Sequence, residues 1–189
     1  MAKIGILALQ GDFYRHSLAV RRLEHEAVLV KDEAALKKCD KLIIPGGEST
    51  TFLHLMEKLN LRQPLLEFGR EKAIMGTCAG LITLSKSAGH LPFPPLGLID
   101  ITVERNAYGR QVDSFVDTIR LNVNGTERPY EGVFIRAPKI AALGSDVRPL
   151  AWHKDDVVMA ASENILVATF HPELTDDLRI HAYFIEQVG

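Results

Sequence analysis

Short apolar runs that lack any polar alternation punctuate the first half of the chain, and helical stretches separate them. The runs are "KIGILAL" (3–9), "AVLV" (27–30), "KLIIP" (41–45) and "AIMG" (73–76). The first, "KIGILAL", reads as a strand buried on both faces, because it lacks alternation. Between them, Asp12 caps a helix running to about Leu23, and Ser49 caps "TTFLHLMEKLN", where Phe52, Leu55, Met56 and Leu59 share a face. A further helix begins near Pro64. The β-α-β-α order predicts a sheet with helices on both sides.

The second half changes character. "LIDITVER", "FVDTIRLNV", "GVFIRAP", "VVMAA" and "ILVATF" are strand-like runs joined by turn signals such as "NVNGTE". They predict an antiparallel extension or edge ribbon that returns to the main sheet. "DDLRIHAYFIEQV" closes the chain as an amphipathic helix, with Asp176 or Asp177 at its start. The expected fold class is α/β: a three-layer sandwich with a mainly parallel central sheet, helices on both faces and an antiparallel extension in the second half. No internal repeat or low-complexity tract interrupts it, and the Pro-rich "HLPFPPLG" (90–97) reads as a connecting loop. A length of 189 residues at 47% hydrophobic content fits one domain, 1–189, with a sizeable core.

A net charge of -2 offers nucleic acid or an acidic membrane surface no attraction, and basic pairs such as Arg21-Arg22 and Lys37-Lys38 read as solvated helix faces. No apolar stretch reaches the ~20 residues that span a bilayer, and "MAKIGILALQGD" is too short and glycine-broken for a secretory signal. Two cysteines, Cys39 and Cys78, provide neither a disulfide framework nor zinc-ligand spacing, so a reducing, cytoplasmic setting is expected.

The sequence "IMGTCAGLI" (74–82) ends an apolar run on a cysteine flanked by small residues. Gly76-Thr77-Cys78-Ala79-Gly80 has the G-x-C-x-G form, the thiol version of the G-x-S-x-G elbow, in which a strand turns sharply into a helix and presents the nucleophile. The positive end of the following helix, "AGLITLSKS", favours a thiolate, and the Ala79 amide is free to face a developing oxyanion. A small buried hydrophobe is the commoner fate of a free cysteine. That is the reading for Cys39, which has no glycine neighbours.

A thiol nucleophile needs a base, and "TFHPEL" places His171, Pro172 and Glu173 at the end of a strand. Proline holds the preceding residue extended, and positions two apart in extended chain project to one side. Glu173 then holds one ring nitrogen of His171 while the other faces Cys78, in the order nucleophile, base, orienting acid. A surface His–Glu pair is the alternative; a metal site would need a third ligand that the sequence does not offer. "IIPGGEST" (43–50) also lies between strand and helix and leaves glycine amides open, as an oxyanion hole requires, without the lysine and spacing of a P-loop. The turns at Gln10-Gly11, Gly46-Gly47 and Cys78 are expected together at the carboxyl edge of the sheet, where such folds bind ligands.

"GTCAG" with a distant "HPE" resembles the class I (triad) glutamine amidotransferases. "LALQGD", "PGGEST", "VERNAYGRQ" (103–111), "FIRAP" (134–138) and "FHPELT" together resemble one branch, the glutaminase subunits of pyridoxal 5'-phosphate synthase. The resemblance implies that Cys78 attacks the side-chain amide of L-glutamine to give a glutamyl thioester and ammonia, with His171 as base and acid and Glu173 orienting it. It implies oxyanion-hole amides from Gly47 and Ala79. It implies glutamine contacts from Gly47, Glu48, Ser49, Arg105, Ile135 and Arg136; a cation for the substrate carboxylate agrees with the two arginines at predicted strand ends. It calls for no cofactor and no metal. It implies a partner, a (β/α)8 synthase subunit that receives the ammonia, in assemblies of twelve synthase and twelve glutaminase subunits, with Gln10, Gly11 and Asp12 at the docking face. "VVMAASENIL" (157–166) departs from the branch pattern by lacking an Arg-Gln-Gly-Asn run. The competing readings are the glutaminase subunit of another amidotransferase, such as imidazole glycerol phosphate synthase, a PfpI-like cysteine hydrolase, and a glutamine-sensing subunit without activity.

Overall fold

The computed structural model describes residues 1–105 and 114–189. In chain order the elements are β1 (Lys3–Leu7), α1 (Phe13–Arg22), β2 (Glu26–Val30), α2 (Glu33–Leu36), β3 (Lys41–Ile44), α3 (Ser49–Lys58), α4 (Arg62–Glu71), β4 (Ile74–Thr77) and α5 (Ala79–Leu84). There follow β5 (Ser85–Ser87), β6 (Ile99–Glu104), β7 (Ser114–Val123), β8 (Thr126–Ile135), β9 (Lys139–Leu143), β10 (Arg148–His153), β11 (Asp156–Ala161), β12 (Ile165–Ala168), a 3-10 turn (Pro172–Leu174) and α6 (Arg179–Gln187).

The main sheet runs in the order β2-β1-β3-β4-β12-β11-β10-β7-β8. The first five of these strands pair in parallel, and the remainder pair antiparallel. Consecutive residues of β1 enter opposite sides of it: Ile6 packs with Val20 of α1 and Ile180 and Phe184 of α6, whereas Leu7 packs with Phe52 and Met56 of α3 and Leu65 of α4. That alternation makes the three layers. The four strands β1, β3, β4 and β12 all point their carboxyl ends toward one edge, and the turns that carry chemistry leave from there.

Several local expectations are corrected. Glu48, not Ser49, caps α3: its carboxylate accepts from the Thr50 and Thr51 amides at 3.0 and 2.7 Å. On that helix Leu59 is 46% exposed while Leu53 is fully buried, so the apolar face is rotated from the expected one. The helix after Cys78 stops at Leu84; the Ser85 hydroxyl donates back to the Ile82 carbonyl at 2.8 Å, and Ser85–Ser87 becomes a strand beside β6. β6 therefore leaves the main sheet and forms a small one, β5-β6-β9. α6 begins at Arg179 rather than at an aspartate, with Asp177 accepting from the Arg179 amide at 3.1 Å. The "NG" of "NVNGTE" does what was expected: Asn124 and Gly125 both have positive φ, 58° and 73°, as a two-residue hairpin turn between β7 and β8 requires. Among the described residues no helix is long and apolar enough to cross a membrane.

Candidate active site

The elbow is real and strained. Cys78 sits between β4 and α5 at φ 49°, ψ -103°, and its amide donates to the Ala168 carbonyl of β12 at 2.9 Å. A non-glycine residue there costs about 1–3 kcal/mol, tolerable only where the surroundings hold it. What holds it is close backbone contact: a Cβ on Gly80 would stand 2.1 Å from the Ile44 carbonyl oxygen, so β3 and α5 touch directly. The thiol is 7% exposed and lies 3.9 Å from the Ile135 carbonyl oxygen.

His171 lies three residues beyond β12, its amide tied to the Val133 carbonyl of β8 at 2.9 Å. Its Nδ1 donates to Glu173 Oε1 at 2.7 Å. The expected pairing holds, but by other geometry: Pro172–Leu174 is a 3-10 turn, not extended chain, and the turn swings Glu173 back under the ring. Burial opposes a charge on His171, yet hydrogen bonds to Cys78 and Glu173, with their charges, raise its pKa to about 10. Burial likewise opposes a charge on Glu173, but His16 beside it, the His171 hydrogen bond and the His171 charge hold it down at about 2. The arrangement favours an imidazolium paired with the Glu173 carboxylate. Gly46 walls the ring in, since a Cβ there would come within 2.4 Å of His171 Cε1.

The loop bearing Gly46 and Gly47 is clamped from β1's turn. Gln10 Oε1 accepts from the Glu48 amide at 3.1 Å, and its Nε2 donates to the Glu48 carbonyl at 3.4 Å. Burial opposes the Glu48 charge, but the hydrogen bonds from Thr51 and Thr50 together outweigh it and bring its pKa down to about 2. Asp12 caps α1, accepting from the Arg15 amide at 3.3 Å. Ala79, first residue of the helix, has an amide with no partner one turn back.

These parts open onto a pocket of about 140 Å³. Gly47, Glu48, Ser49, Cys78, Arg105, Ile135, Arg136 and His171 line it, so every residue expected to touch glutamine is brought together. Ile82 and Pro138 join them without having been singled out in the sequence. Arg105 follows β6 directly and donates to the His90 carbonyl at 2.9 Å and to Thr50 Oγ1 at 3.4 Å. The Pro-rich loop is therefore more than a connection. It anchors Arg105, while its Phe93 packs edge-on against His54. Residues 106–111 of "VERNAYGRQ" lie outside the described residues. Among the described residues no group of three or more His, Cys, Asp or Glu side chains is disposed to hold a metal ion.

Two side chains behind the pair went unnoticed in the sequence. His16 of α1 and His181 of α6 are fully buried, and His16 reaches the far side of Glu173. Their only signal was a histidine on the inward face of each helix, which reads as core.

An elbow thiol, a buried His–Glu pair and a small pocket with two arginines define a hydrolase-type cysteine site on a doubly covered sheet, equipped to attack the amide of a small zwitterion. A crystal structure of a glutamine amidotransferase superposes with a TM-score of 0.90 at 42% identity, over 97% of both chains. The SNO glutamine amidotransferase family matches residues 6–189, and the chain belongs to that family. A relative from Thermosipho africanus, named pyridoxal 5'-phosphate synthase subunit PdxT, is 46% identical over 98% of each chain. One of the same name from Anoxybacillus flavithermus is 48% identical over 100% of this chain and 97% of its own.

Proposed function

We propose that the chain is a glutaminase subunit that hydrolyses L-glutamine to L-glutamate and ammonia and supplies the ammonia for pyridoxal 5'-phosphate synthesis. The observation that carries this reading is the strained Cys78 thiol beside a His171 whose second nitrogen is bound to buried Glu173. With the thiol proton resting on His171, sulfur attacks the side-chain carbonyl carbon of glutamine. The oxyanion forms against the amides of Gly47 and Ala79. His171 returns the proton to the leaving nitrogen, ammonia departs, and a glutamyl thioester remains on Cys78. Water, deprotonated by His171, then breaks the thioester to glutamate and restores the thiol. Arg105 and Arg136 hold the substrate carboxylate, with Glu48, Ser49 and Ile135 completing the pocket.

The partner is a (β/α)8 synthase subunit, in an assembly of twelve and twelve, and the single domain works in the cytoplasm. Gln10, Gly11 and Asp12 belong to the docking face. The clamp from Gln10 to the Glu48 backbone supports this, because contact there reaches the oxyanion loop within one residue. The test is glutamate release by the purified chain, alone and mixed with a synthase subunit from a relative. Low activity alone and a large rise on mixing is the expected result. Silence in both, with Cys78 still open to alkylation, would move the reading to a PfpI-like hydrolase or a sensing subunit.

A further inference from the structure

The donors around Glu173 do not stop at His171. Glu173 Oε1 takes the hydrogen of His171 Nδ1, but Oε2 is buried and has no hydrogen bond of regular geometry among the described residues. His16 Nε2 stands 3.3 Å from Oε2 and 3.3 Å from Thr77 Oγ1, with the side chains of His16 and Glu173 both at 0% exposure. Beyond it, His16 Nδ1 is 3.0 Å from His181 Nε2. His181 Nδ1 is buried without a hydrogen-bond partner among the described residues.

The geometry points to His16 as a positioning residue of this site: held in one tautomer by His181, it donates its Nε2 hydrogen to Thr77 Oγ1 and sets that N–H beside the outer oxygen of Glu173. The reasoning is a count of hydrogens. A carboxylate only accepts, and a neutral imidazole has one N–H to give. With the hydrogen on His16 Nε2, Nδ1 is an acceptor and must receive from His181 Nε2. That leaves His181 Nδ1 as a bare lone pair, and it is the partnerless atom. The opposite assignment can take the Thr77 hydroxyl on Nε2, but it sets that lone pair 3.3 Å from the Glu173 carboxylate and buries an N–H of His181 with no acceptor among the described residues, and the second of these costs most.

Both rings stay neutral for physical reasons. Burial lowers the His16 pKa; the charge of Glu173 resists, His171 assists and Asp12 resists. Burial and then His16 bring His181 down to about 3, with Glu173 resisting. The consequence is a carboxylate whose inner oxygen accepts from His171 while its outer oxygen lies against the positive end of the His16 N–H, which favours this orientation over one turned away from His171. α1 and α6 thereby set the angle of the base. This inference rests on the triad reading for its meaning in catalysis, though the hydrogens it assigns do not.

The experiment is nitrogen-15 NMR of histidine-labelled full-length chain near neutral pH, with His16→Gln and His181→Gln chains to assign signals. Hydrogen on Nε2 and a bare Nδ1 at both His16 and His181 is expected. Hydrogen on Nδ1 of either ring overturns the proposal, whether or not Cys78 proves to be the nucleophile. Glutamate release in the presence of the synthase subunit supplies the second readout. Gln at position 16 keeps a donor near the place of Nε2 and should hold kcat within about threefold, whereas His16→Leu should lose about tenfold in kcat at unchanged KM. A His16→Leu chain with wild-type kcat, or Gln and Leu chains equally impaired, would also overturn it. Should His16→Leu fail to fold, the tautomers of the unmutated chain decide alone.

Discussion

Cys39 and Cys78 are both buried free thiols, at 0% and 7% exposure, each just beyond a stretch of regular structure. Around Cys39 the neighbours are apolar: its thiol donates to the Ala35 carbonyl at 3.3 Å, and a Cβ on Gly5 would stand 2.9 Å from its sulfur. Burial pushes that thiol's pKa up, with Lys72 pulling the other way. Around Cys78 the backbone is strained, an imidazole with a raised pKa lies beside the sulfur, and a polar pocket opens in front. Burial is common to both, so burial does not separate an inert sulfur from a reactive one. The backbone conformation and the neighbouring imidazole do.

The sharpest way to break this contrast is to remove each sulfur. Cys78→Ala should lower glutamate release by about 10³-fold or more, since the covalent step has no substitute. Next comes the imidazole: His171→Ala should cost about 10³-fold in kcat and Glu173→Gln about tenfold less, because an orienting group is lost rather than the base itself. Equal wild-type rates for Glu173→Gln would refute its orienting role. Gly46→Ala sharpens the comparison without touching either partner. A Cβ 2.4 Å from His171 Cε1 should displace the ring and cut kcat about tenfold while the chain stays folded by circular dichroism.

The ion pair should also be visible in stability. Glu173 lies near 2 against an ordinary 4.5, so its contribution is complete above 4.5 and fades as pH falls toward 2. His171 lies near 10 against 6.5, so its contribution is complete below 6.5 and fades as pH rises through 10. The gap in urea-unfolding free energy between wild type and Glu173→Gln should be widest between pH 4.5 and 6.5 and narrow on both sides. A flat gap would mean that the pair is not charged. The smallest effect belongs to Cys39→Ala: unchanged turnover and a loss of about 1 kcal/mol in stability from the vacated volume.

Much of this was legible in the residues, for identifiable reasons. The apolar runs of β1, β3 and β4 are buried on both faces and announce a parallel sheet, whereas β2, at the sheet edge, leaves Leu29 43% exposed. Gly76, Cys78 and Gly80 carry their geometry in their sizes. What escaped has a common cause. "KIAAL" and "RPLAWH" became β9 and β10 because neighbouring strands supplied partners, and neither run alternates cleanly enough to say so. Ser85–Ser87 left its helix because β6 was there to pair with it. Glu48 displaced Ser49 as the cap because its longer side chain reaches two amides at once. His16 and His181 lie 165 positions apart, and only the packing of α1 and α6 behind β4 makes them neighbours.

That packing of the first helix against the last has a consequence for how the chain is made. A polypeptide emerging from its amino end presents the Cys78 sulfur well before His171 is added. The imidazole that faces the sulfur comes with the last strand of the parallel set, and the ring that backs Glu173 comes with the closing helix. Lys41 then ties the end down, its ammonium donating to the Val188 carbonyl. The thiol meets its base only after His171 has been added, so a product cut short before that residue holds a sulfur without its base.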